Sequence, residues 1–469
     1  MKKTFIGICL FLSLSVNLTA AIRLPNIIGS HMVLQQKSTV KIWGWAAPAE
    51  KVIIKTSWDN KTYEATTSNG AKWVSNIQTP TAGGPYQITI SASNTIVLED
   101  VLIGEVWVCG GQSNMEWSGD QSLKETLDEA PNATNTSIHF FYVAKSTSDF
   151  PQDNLEGKWM VCSPEEMKHF SAIGYFFGGN LNQTLHYPIG LINSNWGGTP
   201  AETWTPEYVI NNVAIIKKGA DSLTAADEWP HITSKAYNAM IFPLTNYSIA
   251  GVIWYQGESN TNTHFAYEKL FTGMIDAWRH HWNQNFPFYF VQIAPFTYGN
   301  KNVGALLREA QTKAANHNGT GMVVITDLIP DTTNIHPTRK IEVAKRLSDL
   351  ALNKTYGYTT IPCQSPIYQS HTIDKDKISI QFNNADNGLM AKGDIITSFE
   401  IASEDKIFLP ALAKIIGNTI VVSNKNIKNP VAVRFAFNNT AMPNLFNKEG
   451  LPVNLFRTDN WEVNTAPIK

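Results

Sequence analysis

Ser113 stands where a serine can act as a nucleophile. It follows the apolar, β-branched and aromatic run 106–109 and the glycine pair Gly110 and Gly111. A run of that kind reads as a buried strand, and the glycines break it because only glycine takes unusual backbone angles at no steric cost. The continuation Gln112, Ser113, Asn114, Met115, Glu116 is too polar to extend a core strand. A serine thrown off a strand end by a sharp glycine turn is exposed for attack, and open α/β sheets keep their sites at that end of their strands. Three other strand ends lead into polar stretches. Residues 195–202 contain Gly197 and Gly198, residues 254–260 contain Gln256 and Glu258, and residues 331–337 contain His336. Ester hydrolysis needs such parts together. A hydroxyl is a poor nucleophile until an imidazole takes its proton. The negative charge that develops on the carbonyl oxygen needs aimed N–H donors, each worth about 3 kcal/mol. The Ser113 amide, the Gly197/Gly198 turn and the Gln256 side chain are candidate donors, and His336 is the candidate base.

The elements that must position these residues form a strand–helix alternation across residues 101–357. Strands are expected at 187–193, 249–255, 288–293 and 321–326, and helices at 267–282, 305–316 and 340–351. This pattern implies an α/β fold with a parallel sheet covered on both faces. Residues 22–100 alternate apolar and polar at 39–45, 51–56 and 86–91, with turn signals between, and read as a small β-sandwich-like domain. Residues 358–469 return to β patterning at 377–382, 419–423 and 431–436 and are expected to pack against the α/β part.

Residues 1–20 read as a secretory signal peptide, in which Lys2 and Lys3 precede the apolar run 5–16 and small residues follow at Ala20 and Ala21. A secreted or periplasmic location in a bacterium is the expectation from that leader. The apolar run is too short to anchor in a bilayer, and no later stretch is long enough. The whole chain carries a net charge of −2, and loss of the two leader lysines leaves about −4, which argues against a nucleic-acid or anionic-membrane partner. Cys109, Cys162 and Cys363 are too few and too widely spaced for a disulfide framework; at most one pair could bridge. No CxxC, HExxH or EF-hand spacing occurs, so no metal or cofactor is indicated.

The chain resembles the sialate O-acetylesterases, which belong to the SGNH hydrolases and are similar to acetylxylan esterases. The resemblance spans nearly all of residues 22–469. Its motifs are 31–36, 42–45, Gly111 to Met115, Gly197 to Thr199, Trp254 to Asn260, Arg308 to Gln311, and Ile335 to Pro337. It implies an SGNH-like three-layer domain with a parallel sheet, flanked by β-rich regions. It also implies a cofactor-independent serine esterase acting on O-acetylated sugars, with Ser113 as nucleophile and His336 as base. The oxyanion donors it implies are Ser113, a glycine of the 197–198 pair, and Gln256. Asn114, Asn260 and Arg308 are candidates to contact the sugar; Arg308 could pair with a sialate carboxylate. One departure stands out. The family places an aspartate three residues before the histidine, and here that residue is Thr333. Glu258, Asp331 or Asp327, or a backbone carbonyl, could orient the imidazole instead, with Glu258 and Asp331 the preferred candidates. The substrate is left open between sialic acids and acetylated xylan or another polysaccharide. A carbohydrate-binding protein without activity is the reading from a different class.

Overall fold

In the computed structural model, residues 21–468 are described, and the leader read from residues 1–20 lies outside them. The fold is organised around one long strand, Thr95–Gly111. Its first half pairs antiparallel with Gly83–Ser91 and parallel with Val33–Gln35 in the N-terminal β region. Its second half is the centre of a parallel sheet, with Ile189–Asn195 on one side and Gly251–Tyr255 on the other. The domain boundary expected between residues 100 and 101 therefore falls inside a single strand. Backbone pairing on both sides of it makes the two regions share one sheet.

Outward from the long strand run Gly251–Tyr255, Phe288–Val291 and Thr320–Val323 in one direction. In the other direction run Ile189–Asn195, Asn135–Val143 and Gly157–Cys162, the last pair antiparallel. The period of two sorts side chains between the faces. Val106, Val108, Val252 and Trp254 pack with Leu270, Phe271 and Trp278 of the His264–Trp282 helix. Trp107, Cys109, Ile253 and Tyr255 pack with Phe177 and Leu181 of the Ala172–Leu185 helix, and with Val343 and Leu347 of the Lys340–Lys354 helix. The result is the expected three-layer α/β architecture. Among the described residues Cys109, Cys162 and Cys363 are free, and burial pushes the Cys109 thiol up, so it behaves as a small apolar side chain.

Beyond the Lys340–Lys354 helix, two four-stranded antiparallel sheets and a two-stranded one make up the C-terminal region. Its core includes Ala305 and Leu306, which the Val303–Ala314 helix contributes from the α/β part. The Arg457 guanidinium pairs with Glu309 of the same helix at 2.7 Å. Among the described residues no helix is long and apolar enough to cross a membrane.

Candidate active site

Three strands reach their carboxyl ends at one level, because Asn195 and Tyr255 are both in register with Gly111. That register brings three of the polar loops together. Gly111 has φ +135°, and a Cβ there would lie 2.2 Å from the Tyr255 carbonyl oxygen, so this turn requires glycine. The Gln112 N–H donates to Tyr255 O at 2.9 Å and Trp196 N–H donates to Gly111 O at 3.0 Å, which stitches the neighbouring loops to the turn. The chain then enters the single-turn helix Ser113–Glu116. Ser113 is its first residue, where a backbone N–H has no partner within the helix.

The fourth loop brings His336 over this turn. Its Nε2 lies 2.8 Å from Ser113 Oγ. The imidazole stacks on Trp117, with ring centroids 4.1 Å apart and an interplanar angle of 22°. Burial lowers the His336 pKa to about 4, and the Lys340 cation adds to the effect. The ring is therefore neutral over most of the pH range, as a base must be before it accepts a proton.

Gly197 sits beside Ser113, and a Cβ on it would be 3.3 Å from Ser113 Cβ. Its N–H donates to Glu116 Oε2 at 2.5 Å, and Glu116 Oε1 accepts from Lys145. A carboxylate oxygen thus occupies the donor that an ester oxygen would use. Gly198, with φ +79°, lies under the Trp229 ring, which leaves no room for a side chain.

Several residues expected in the site are elsewhere. The Gln256 amide does not face Ser113: its Nε2 donates to Asn260 Oδ1 at 2.7 Å and to Thr199 O at 3.3 Å, and its Oε1 accepts from Tyr267. Gln256 continues the alternation of Trp254 and so points under the His264–Trp282 helix. Asn260 is fully buried and joins Gln256, Ala201 N–H and Glu202, so its amide is unavailable to a sugar. Arg308 is also fully buried, donating to the carbonyls of Gly304 and Asn438. It holds the C-terminal region through the Asn438 carbonyl. Asp331 turns back on its own loop, accepting from Thr333 N–H and Thr333 Oγ1 at 2.8 and 2.6 Å. Asp327 is paired with Arg346 through both oxygens, at 2.8 and 2.7 Å. Among the described residues, no carboxylate hydrogen-bonds the His336 ring.

Glu258 and Asn114 lie beneath the site. Glu258 Oε1 accepts from Asn114 Nδ2 at 2.7 Å, while its Oε2 is buried without a partner. Burial raises the Glu258 pKa to about 7, opposed by the Asn114 hydrogen bond and the Lys340 charge. Lys340 was not singled out from sequence. It is 1% exposed and its Nζ donates to Asn114 Oδ1 at 2.7 Å. The signal was present, because Lys340, Val343, Ala344 and Leu347 fall on one buried stripe of their helix. Trp117, four residues past Ser113, was also missed. Among the described residues no group of three or more His, Cys, Asp or Glu side chains could hold a metal ion.

Residues 103–353 match the family model described as carbohydrate esterase, sialic acid-specific acetylesterase. The sialate O-acetylesterase of Homo sapiens is 30% identical over 405 residues, covering 77% of both chains. That of Mus musculus is 29% identical over 426 residues, covering 77% of this chain and 79% of the relative. Among solved structures, a carbohydrate acetylesterase from Xanthomonas citri superposes with a TM-score of 0.86 at 32% identity, covering 94% of this chain and all of that one.

Proposed function

The chain belongs to the sialic acid-specific acetylesterase family of carbohydrate esterases, and on that premise we propose that it removes O-acetyl groups from sialic acids through an acetyl-enzyme on Ser113. The observation that carries the mechanism is the 2.8 Å contact between Ser113 Oγ and His336 Nε2. His336 takes the hydroxyl proton as Oγ attacks the acetyl carbonyl. The N–H groups of Ser113 and Gly197 receive the developing oxyanion once Glu116 moves aside. His336 then returns the proton to the departing sugar oxygen, leaving acetyl-Ser113 and a free sugar hydroxyl. Water, deprotonated by His336, attacks the acetyl group and releases acetate. Each step uses only this chain's residues and water. The leader read from residues 1–20 supports action outside the cytoplasm, in the periplasm or beyond.

A second substrate reading, a neutral acetylated polysaccharide such as xylan, is favoured by one observation. Arg308, the cation expected to meet a sialate carboxylate, is buried away from Ser113. Acetate release by wild type and Ser113→Ala, from 9-O-acetylated sialic acid and from acetylated xylan side by side, tests both. Activity on the sialic acid that the substitution abolishes supports the first reading. Activity on xylan alone transfers the mechanism to the second. Acetate from neither substrate overturns the esterase assignment.

A further inference from the structure

We infer that Asn114, Glu258 and Lys340 form a buried bridge that positions His336, in place of the carboxylate that usually holds the far side of a catalytic imidazole. The inference rests on the assignment of His336 as the base. The Asn114 side-chain amide is the centre of the bridge. Its Oδ1 accepts from Lys340 Nζ at 2.7 Å, and its Nδ2 donates to Glu258 Oε1 at 2.7 Å. Nδ2 also donates to the carbonyl of Ile335 at 3.0 Å. Lys340 Nζ makes a second bond to the Asn114 carbonyl at 3.2 Å. The amide thus separates a cation from an anion and hydrogen-bonds both.

The link to the base runs through one peptide group. Asn114 holds the Ile335 carbonyl, while the N–H of the same peptide, which belongs to His336, donates to Asn334 Oδ1 at 2.9 Å. Both polar ends of the peptide that carries His336 are therefore fixed. The ring is held further by Ser113 Oγ and by the face of Trp117. Orientation comes from the backbone and from stacking, and a partner on Nδ1 is not required for it.

Burial gives the bridge its sensitivity. Asn114 is 1%, Lys340 1% and Glu258 7% exposed. Removing one partner of a buried charge pair leaves the other uncompensated, which is far more disruptive than removing both. Lys340 Nζ also lies 5.6 Å from the Tyr255 ring centroid and 6.0 Å from that of Trp117, the ring under His336. The helix that carries Lys340 is anchored by Glu125, which accepts from the N–H groups of Lys340 and Ile341 at 2.7 and 2.9 Å. The charged groups around His336 are Lys340 on its helix, Arg339 and Asp331 on its exposed loop, Glu258 below, and Glu116 on the nucleophile turn, paired with Lys145. Lys340 is the cation that opposes protonation of the ring.

The test compares Glu258→Gln, Lys340→Met and the double variant, on the full chain, for kcat, KM and the pH dependence of kcat/KM with p-nitrophenyl acetate. The isosteric Glu258→Gln is expected to lower kcat at least about tenfold with KM within about twofold, as misplacement of a base does. Lys340→Met is expected to move the acid limb of kcat/KM to higher pH, and the double variant is expected to recover part of the kcat lost in Glu258→Gln. An NMR titration of the His336 ring, assigned by its loss in His336→Asn, reads the bridge without turnover; its midpoint is expected to rise in Lys340→Met. If Lys340→Met does not fold, the kinetic split in Glu258→Gln decides the question: kcat lowered with KM unchanged, and the ring titration left in place because Glu258 is already neutral where His336 titrates. Unchanged kcat, acid limb and ring titration in the folded variants overturn the proposal, and lowered thermal stability alone would make the bridge merely structural. A wild type without esterase activity would overturn the proposed function, while the ring titration would still report on the bridge.

Discussion

Removing the Trp117 ring should slow the enzyme by a factor that grows as the pH falls. The imidazole of His336 lies on that indole at 4.1 Å between centroids. A stacked aromatic pair contributes about 0.5–1.5 kcal/mol beyond its buried area. Losing that constraint in Trp117→Ala should reduce the population of correctly placed base by about 2- to 13-fold at any pH. A second effect comes from solvent. Burial is the largest cause holding His336 at about 4, and an exposed imidazole titrates near 6.5. At pH 5.5 the wild-type ring is about 97% neutral, while a ring restored to the free value would be only about 9% neutral. The combined loss in kcat/KM then reaches about 25- to 130-fold at pH 5.5, against about 2- to 13-fold at pH 8. Initial rates of acetate release from pH 4.5 to 8.5 measure it, with Trp117→Phe, which keeps an aromatic face, expected to follow wild type. The sign is fixed by the base having to be unprotonated. Activity appears as pH rises through the His336 pKa, so the wild-type acid limb belongs near pH 4 and the variant's at higher pH. A Trp117→Ala profile parallel to wild type, or a wild-type limb near 6.5, would refute this account of the ring.

Gly111→Ala should fail to accumulate or lose about 2–5 kcal/mol in urea unfolding, because the new Cβ meets the Tyr255 carbonyl at 2.2 Å and φ is +135°. Normal stability in that variant would mean the turn can open without cost. Arg308→Ala leaves the carbonyls of Gly304 and Asn438 without their donor and should lower stability by at least about 1–3 kcal/mol. Its KM should stay within about twofold for acetylated sialic acid and neutral acetylated sugar alike; a rise confined to the sialic acid would restore Arg308 to the binding site. Glu116→Ala frees the Gly197 N–H from its carboxylate and is expected to lower KM for p-nitrophenyl acetate several-fold, since charge-assisted hydrogen bonds are about twice as strong as neutral ones. A large fall in kcat there would instead make Glu116 part of the catalytic machinery.

The strand ends were legible in the sequence because chain-local chemistry makes them. An apolar run, a glycine and a polar turn must sit together in the chain, and Val106 to Ser113 shows the whole device within one short stretch. The helix Ala172–Leu185 was not legible: it is apolar around much of its circumference and carries Gly178 and Gly179, which read as breakers. Gly178 is there for packing, since a Cβ would lie 2.6 Å from Leu191 Cδ1. The strand Asn135–Val143 and the edge strand Gly157–Cys162 were missed as well; the first begins with polar residues that masked its apolar second half. Gln256 was drawn to the site by its strand-end loop and by the resemblance, and Asn260 and Arg308 by their motifs and residue type. Their side chains were claimed by other loops and by the C-terminal region, contacts that no local pattern records.

The missing aspartate before His336 has a chemical consequence beyond orientation. A carboxylate on the far ring nitrogen stabilises the imidazolium and raises its pKa. Here burial and the Lys340 cation act in the opposite sense, and the ring is lowered to about 4. Such a base is weaker, so each proton transfer from Ser113 has less driving force at neutral pH. It is also already neutral in mild acid, where a base near 6.5 is mostly protonated. Esters of sugar hydroxyls have a leaving oxygen that must be protonated as it departs, and an imidazolium of low pKa is a strong acid for that step. In the proposed mechanism, the same environment that weakens His336 as a base therefore strengthens it as the acid that releases the sugar.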